Sequence, residues 1–272
     1  MRAEPWSFGA PVSGHRWADG TARATVLLAH GFGEYAGRYV NHYHRLIPAL
    51  AARGFAVHAF DLEGHGGSPG PRGVVDVGRA VEQHRAARRA LAGAGPLFVF
   101  GHSLGGLITA ASVARDGSGV AGAVLSAPAL LIEAKPLLKL VGRALERIAP
   151  GAGVLPPLDP AGISRRAEEV AAYRADRPVS RGKLPALTGA TALAAAEEGW
   201  LLYPRWTAPV LALHGTADTF TDPAGSRRFV DAVAATDKTL ASFEGGRHEL
   251  LNDVERDRAL ALVLDWLEAR VG

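Results

Sequence analysis

Short apolar runs rich in Val, Leu and Phe recur along the chain, separated by longer stretches in which apolar residues follow helical spacing. The apolar runs occupy residues 24–30, 55–61, 97–101, 122–127, 209–215 and 239–245. Helical spacing is found near residues 40–53, 77–92, 104–115, 223–236 and 255–270. Continuous apolar strands that alternate with helices are typical of a mostly parallel sheet covered by helices on both faces. The pattern therefore predicts an α/β fold.

The segment from residue 129 to residue 208 interrupts this alternation. It contains no evident strand, and prolines divide it into stretches of helical pattern. It is also too long for an ordinary connection between two strands. We therefore predict a single domain over residues 1–272, in which residues 129–208 form an inserted helical cap above the strand ends.

Composition excludes several function classes. The formal net charge is +3 without a long Lys/Arg block, so no nucleic-acid partner is predicted. The chain has no cysteine, which excludes disulfides, a cysteine nucleophile and thiolate metal sites. No histidine–carboxylate cluster has metal-ligand spacing, so neither a metal nor a cofactor is predicted. The N-terminal stretch lacks a signal-peptide pattern and no apolar run reaches the ~18 residues of a membrane span, which favours a soluble cytoplasmic protein.

The stretch FVFGHSLGG places Ser103 between an apolar run and a helical pattern. A sharp turn from strand to helix would hold this serine in a strained backbone conformation, at a helix N-terminus that stabilises developing negative charge. Gly101 and Gly105 fit such a turn, because side chains there would collide with the neighbouring strand or helix. The alternative is a glycine-rich loop in which the serine merely caps the helix. The flanking strand and helix patterns favour Ser103 as a nucleophile.

A serine nucleophile needs a base and an acid that orients the base, and in this type of fold the chain order is serine, acid, histidine. Asp218 and His248 each follow an apolar run, so both would lie on the sheet edge that carries Ser103. Asp222 is a rival for the acid, but its position just before a proline is typical of a helix N-cap. We predict Asp218 as the acid and His248 as the base.

An ester carbonyl that becomes tetrahedral needs two donors for its oxyanion. The N–H of Leu104, the residue after the nucleophile, is one candidate, and the N–H of Phe32 in the loop after the first long apolar run is the other. Three nearby histidines, His30, His65 and His102, are predicted to be buried structural residues rather than catalysts.

These motifs resemble those of the monoacylglycerol lipases and related lysophospholipases of the α/β-hydrolase superfamily, over nearly the whole chain. The similarity rests on HGFGEYAGRY, FDLEGHGGSPGPRG, GHSLGG, LSAPAL, PVLALHGTAD and FEGGRHELLND, in that order. The resemblance implies the α/β-hydrolase fold with an inserted cap, and it implies the same triad and oxyanion donors.

The resemblance also implies substrate contacts by Phe32, Glu34 and Tyr35, with Arg38 in the same entrance-loop motif. The family pattern usually has His in place of Tyr35 and often Met in place of Leu104. The first difference bears on contacts with the alcohol part of the substrate, whereas the second leaves the backbone donor intact.

The predicted function is a serine carboxylic-ester hydrolase, with a monoacylglycerol lipase as the leading hypothesis. It would release a fatty acid and glycerol through an acyl-enzyme on Ser103. A lysophospholipase or a short-chain carboxylesterase is the alternative, and aminopeptidase action is a weaker one. A remote alternative is a non-catalytic ligand-binding protein on the same fold. The expected partner is a small lipid ester, and the oligomeric state stays open.

The stretch KPLLKLVGRALERI within the predicted cap places basic residues at four-residue intervals beside an apolar stripe. The basic residues are Lys135, Lys139, Arg143 and Arg147. Such a helix can lie on an anionic membrane and admit lipid from it. It can equally bury its apolar stripe against the core and solvate the charged face. Peripheral membrane contact through the cap is therefore one of two open interpretations.

Overall fold

A computed structural model describes residues 1–133 and 145–271 of the chain. The strands are β1 Glu4–Trp6, β2 Gly14–Trp17, β3 Ala24–Ala29, β4 Phe55–Phe60, β5 Leu97–His102, β6 Val120–Ser126, β7 Gly153–Leu155, β8 Leu184–Pro185, β9 Val210–Gly215 and β10 Lys238–Phe243. Eight of them form one sheet in the order β1-β2-β4-β3-β5-β6-β9-β10. β1 and β2 pair antiparallel with their neighbours, and every other pairing in this sheet is parallel. The predicted mostly parallel sheet is confirmed.

Helices connect most of the strands. They are α1 Arg38–Asn41, α2 Leu46–Ala52, α3 Val77–Leu91, α4 Leu104–Arg115, α5 Ala167–Ala175, α6 Ala186–Leu202, α7 Pro223–Ala232 and α8 Arg256–Glu268. Short 3-10 turns cover Tyr43–Arg45, Pro160–Gly162, Tyr203–Arg205 and Leu250–Asn252.

The core lies on both faces of the sheet. Leu27 and Val99 face one side, where they belong to the apolar cluster that α3, α4 and α6 complete. Phe98 and Phe100 face the other side, together with apolar residues of α2 and α8. Alternate strand residues therefore fill opposite layers, as the pleat of a β-strand requires. This two-sided burial explains why the strands are apolar throughout.

The six strands that the apolar runs predict are all present, with ends shifted by one or two residues. The sequence reading missed β1 and β2, which hold one edge of the sheet in an antiparallel hairpin. Their sequences, EPW and GHRW, are short and largely polar, so they lack the continuous apolar signal. An edge strand needs less apolar surface because neighbours cover it less completely.

The single helix predicted near residues 40–53 is wrong. The chain forms α1, breaks at Tyr43–Arg45 and restarts as α2. Tyr43, His44 and Arg45 all have positive φ values, of 53°, 50° and 56°. Three consecutive non-glycine residues in the left-handed region cannot continue a right-handed helix. Helical spacing of apolar residues on either side of the break concealed it.

The segment between β6 and β9 carries α5, α6 and a second, two-stranded antiparallel sheet of β7 and β8, outside the main sheet. The prediction that residues 129–208 contain no strand is therefore wrong, because these strands have only three and two residues. The basic positions 135, 139 and 143 lie outside the described residues. In the described parts of the chain, no helix is both long and apolar enough to cross a bilayer. The role of this segment as a cap stays a prediction.

Ser180 joins this segment to two glycine turns of the main domain. Its N–H donates to Gly33 O at 2.7 Å. A Cβ atom on Gly33 would lie 2.4 Å from the Ser180 carbonyl oxygen, and one on Gly73 would lie 2.8 Å from Ser180 Oγ. Both glycines have positive φ values, of 79° and 75°. Glycine is therefore required twice at this contact, for backbone conformation and for space.

Candidate active site

Ser103 occupies the turn between β5 and α4 with φ +54° and ψ −118°. This is a strained conformation for a residue with a side chain. A Cβ on Gly101 would lie 2.4 Å from Gly105 O, and one on Gly105 would lie 2.2 Å from Ala29 O. The close approach of strand and helix thus explains both glycines of the motif. Ser103 is half-buried and lies at the amino end of α4.

Asp218 and His248 meet at the same edge of the sheet. His248 Nδ1 lies 2.7 Å from Asp218 Oδ2, and because a carboxylate only accepts, Nδ1 is the donor. Asp218 follows β9, and His248 follows β10. The N–H groups of Phe220 and Thr221 donate to Asp218 Oδ1 at 2.7 and 3.1 Å. The carboxylate is therefore fixed from both sides.

Burial and charge act in opposite directions on this pair. Burial alone would raise the pKa of Asp218, but the charge of His248 and the hydrogen bonds that the carboxylate receives hold it well below its usual range. Burial alone would lower the pKa of His248, but the charge of Asp218 raises it above its usual 6.5, helped by Glu249 and Glu34. The pair is thus a carboxylate and a histidine of enhanced basicity.

The ring of His102, the residue before Ser103, packs against the ring of His248 and thereby connects the serine turn with His248. The two imidazole centroids are 4.8 Å apart, and Phe220 packs on His248 from another side at 5.0 Å. Among the described residues, no hydrogen bond joins Ser103 to His248. Catalytic hydrogen bonds of free enzymes often form only in the complex with substrate.

The loop after β3 lies directly against the serine. A Cβ on Gly31 would lie 3.2 Å from Ser103 Cβ, and the next residue is Phe32. Within residues 1–133 and 145–271, neither the Phe32 N–H nor the Leu104 N–H donates to another protein group. Backbone donors that no protein acceptor occupies are what an oxyanion requires.

The three nearby histidines are buried, and they bond mainly to backbone groups. The Leu62 N–H donates to His30 Nε2 at 3.0 Å, so Nδ1 carries hydrogen and donates to Gly31 O at 2.8 Å. His102 Nδ1 lies 3.1 Å from Ser126 O, and His65 Nδ1 lies 2.9 Å from the Glu63 carbonyl oxygen. Burial lowers the pKa of His65 and of His102 to about 4, so both rings are neutral near pH 7.

A buried charge cluster beneath the site was not foreseen from the sequence. Arg38, 1% exposed, pairs with Glu34 at 2.8 Å and with Glu249 at 3.0 Å. Tyr39 and Tyr43 donate to Glu34 at 3.3 and 2.7 Å. We call Glu34, Arg38, Tyr39, Tyr43 and Glu249 the Arg38 cluster. Only the short spacing of Glu34 and Arg38 is visible in the sequence, since Glu249 comes from the far end of the chain.

The position of Glu34 does not fit the predicted contact with substrate. Its side chain is 4% exposed, and its Oε1 accepts the Gly31 N–H at 2.9 Å. The carboxylate thus faces inward, and its role here is to hold the loop that carries Phe32. Tyr35 points toward the segment after β6, where its hydroxyl donates to Asp176 at 3.2 Å. Substrate contact by Tyr35 and Phe32 stays a prediction.

Comparisons with known proteins agree with this geometry. A family model described as serine aminopeptidase, S33, matches residues 20–255. The monoacylglycerol lipase of Mycolicibacterium smegmatis is 37% identical over 255 residues, covering 92% of this chain and 89% of that protein. The monoglyceride lipase of Homo sapiens is 33% identical, covering 85% and 77%. The crystal structure of Paleococcus ferrophilus monoacylglycerol lipase matches with a TM-score of 0.86 at 34% identity, covering 95% and 99%.

Fold and site together define a serine hydrolase of the lipase and esterase type on an α/β-hydrolase fold. The chain belongs to the serine aminopeptidase S33 family of monoacylglycerol lipase-like α/β-hydrolases. The fold class and the family resemblance expected from the sequence are thereby confirmed.

Proposed function

We propose that this chain is a monoacylglycerol lipase that uses Ser103, Asp218 and His248 as its catalytic triad. The Asp218–His248 pair, 2.7 Å apart on the sheet edge where Ser103 occupies its strained turn, carries the proposal. The names of the relatives support the substrate class, since two of those compared are monoacylglycerol lipases and one is a monoglyceride lipase.

In the proposed reaction, His248 takes the proton of the Ser103 hydroxyl while Oγ attacks the ester carbonyl. The N–H groups of Phe32 and Leu104 stabilise the oxyanion that forms. His248 then returns the proton to the departing glycerol oxygen, which leaves an acyl group on Ser103. A water molecule that gives its proton to His248 attacks this acyl-enzyme, the fatty acid leaves, and the serine recovers its proton.

A fluorophosphonate probe tests the nucleophile. We expect Ser103 of the folded protein to be labelled and Ser103→Ala not to be labelled. An unlabelled wild-type protein would contradict the proposal and favour a non-catalytic ligand-binding role.

A turnover series tests the substrate class. We expect monoglycerides of medium or long acyl chain to exceed lysophosphatidylcholine, short nitrophenyl esters and aminoacyl arylamides in kcat/KM. Faster turnover of the lysophospholipid would favour a lysophospholipase, of the short ester a carboxylesterase, and of the arylamide an aminopeptidase.

Peripheral contact with a lipid surface is part of the proposal. Four apolar side chains within residues 148–158, in or close to β7, are exposed: Ile148 at 79%, Val154 at 40%, Leu155 at 56% and Leu158 at 49%. Contiguous exposed apolar residues commonly mark interaction surfaces. They support docking of this segment on lipid, where a water-insoluble ester would be taken up.

Sedimentation with phospholipid vesicles tests this contact. Leu155→Asp should lower the partition coefficient about tenfold, since transfer of one leucine into lipid contributes roughly 1.5 kcal/mol or more. Leu201→Asp is the matched control, because Leu201 is 77% exposed but lies near the other end of α6, about 22 Å from Ala186 at 1.5 Å per residue. Equal loss in both variants, or no loss in either, would contradict docking through this segment.

A further inference from the structure

The Asp218 carboxylate receives more hydrogen bonds than a catalytic triad requires. Besides His248 at 2.7 Å, its Oδ2 lies 2.8 Å from the Thr221 hydroxyl and 3.2 Å from Nε2 of a second histidine, His214. His214 is the last residue but one of β9 and is 1% exposed. The proposed chemistry gives this second histidine no task.

The contacts of His214 place a hydrogen on its Nε2. Its Nε2 lies 3.2 Å from Asp218 Oδ2 and 3.3 Å from the Thr221 carbonyl oxygen. Both oxygens only accept hydrogen bonds, so Nε2 must carry a hydrogen. On the other side of the ring, Nδ1 lies 2.7 Å from the hydroxyl of Ser226, a fully buried residue in the first turn of α7. A Ser226 hydroxyl that donates to Nδ1 selects the tautomer with its hydrogen on Nε2.

We propose that His214, fixed in its Nε2–H form by Ser226, is a positioning residue that holds Asp218 and moderates its attraction for the proton of His248. This inference rests on the proposed function, because it assigns His248 as the base. A neutral donor stabilises the carboxylate without placing a second positive charge beside the imidazolium that forms during catalysis. A cationic neighbour in the same place would oppose that imidazolium.

Charged and titratable groups from several elements surround His248. Asp218 faces it from the loop after β9, Glu249 from its own loop and Glu34 from the loop after β3. His102 faces it from the end of β5, and burial keeps that ring neutral near pH 7. Only Asp218 among these groups bonds to His214. The Thr221 hydroxyl lies 3.2 Å from His214 Nε2 and 3.4 Å from His248 Nδ1. A change at His214 therefore reaches His248 through Asp218 and Thr221.

Loss of the His214 donor should shift the pKa of His248 in a definite direction. The carboxylate would keep its charge but lose one of the groups that stabilise it, so its attraction for the proton on His248 would grow. The pKa of His248 would rise, and the acid limb of the kcat/KM profile would move to higher pH. A purely structural role for His214 would lower stability or the amount of active enzyme without moving this limb.

The experiment measures kcat/KM from pH 5 to 9 on a water-soluble ester. We expect His214→Leu to raise the acid-limb pKa by about 0.5 to 1 unit. His214→Gln should restore most of the wild-type profile, since the glutamine amide nitrogen can donate from near the position of Nε2. Thr221→Val removes the other side-chain donor to Oδ2 and should shift the limb in the same direction, which keeps the test decisive if His214→Leu fails to fold.

His84 provides the matched control. It is buried and its Nδ1 lies 2.8 Å from the hydroxyl of Ser112, the same arrangement as His214 and Ser226, but it has no contact with the triad. His84→Leu should leave the limb within about 0.2 unit of wild type. An unmoved limb in His214→Leu and Thr221→Val, or an equal shift in His84→Leu, would overturn the inference. If these outcomes overturn the inference but fluorophosphonate still labels wild-type Ser103, the proposed function stands.

Discussion

Replacement of Arg38 by Met would remove the guanidinium that pairs with two buried carboxylates of the Arg38 cluster. Burial alone would raise the pKa of Glu34, but Arg38, followed by smaller contributions, holds it at about 2 against an ordinary value of 4.5. That difference corresponds to about 3 kcal/mol of stability at neutral pH. Removal of one partner from a buried ion pair costs about 3–5 kcal/mol. We expect Arg38→Met to lower the free energy of unfolding at pH 7 by about this amount.

The pH dependence separates lost charge from lost packing. In the wild type, the pKa of Glu34 is depressed, so its contribution is fully present above pH 4.5 and is lost as the pH falls toward 2. In Arg38→Met, burial without the guanidinium would raise the pKa of Glu34 above 4.5. Protonation at mildly acidic pH would then relieve the buried charge. The difference in stability between the two proteins should therefore shrink from pH 8 to pH 5.

Urea unfolding followed by circular dichroism at pH 8, 7 and 5 measures these differences. Arg79→Met is the control, because Arg79 is 61% exposed on its side chain and pairs with Glu63 at the surface, where an ion pair contributes about 0–1 kcal/mol. The reasoning fails if Arg38→Met costs no more than Arg79→Met. A difference of the same size at all three pH values would refute the charge argument.

Three further outcomes follow from the site. Asp222→Ala should lower stability by about 1 kcal/mol in thermal unfolding, because Asp222 accepts the Ala224 N–H at 2.8 Å as the N-cap of α7, and kcat should be unchanged. Gly105→Ala should reduce fluorophosphonate labelling rates about 10²-fold, since the added Cβ would displace the serine turn, and wild-type labelling would contradict this. Wild-type kcat/KM should decrease as the pH drops below the pKa of His248, which is raised above 6.5. An acid limb centred at or below pH 6.5 would speak against His248 as the base.

Strands that are buried on both faces can be predicted from the sequence, whereas elements whose shape depends on tertiary contacts cannot. Continuous apolar runs reveal β3 and β5 because neighbours cover both their faces. The break at Tyr43–Arg45 is invisible to that signal. The residues with positive φ values lie against a distant part of the chain, where the Tyr43 N–H donates to Asn252 at 2.5 Å. Spacing of apolar residues carries no information on such a distant partner.

The same limit applies to the site. Ser103, Asp218 and His248 could be chosen because each follows a strand, and parallel strands end at one edge. The Arg38 cluster could not, because charges 211 residues apart in sequence give no sign of pairing. The contact of His214 with Asp218 could not be predicted either. The available signal was the position of His214 four residues before Asp218. This spacing indicates a contact only when the path of the turn between the two residues is known.

The close contact of Ser180 with the turns at Gly33 and Gly73 has a consequence for the construction of chimaeric enzymes. A segment between β6 and β9 that is transplanted from a relative would have to carry a small residue with the same backbone path at this position. Otherwise the turn that bears Phe32 would lose the N–H donor it receives from Ser180. Exchange of the segment between β6 and β9 among relatives should therefore preserve the fold only when the junctions leave the contacts of Ser180 with Gly33 and Gly73 intact.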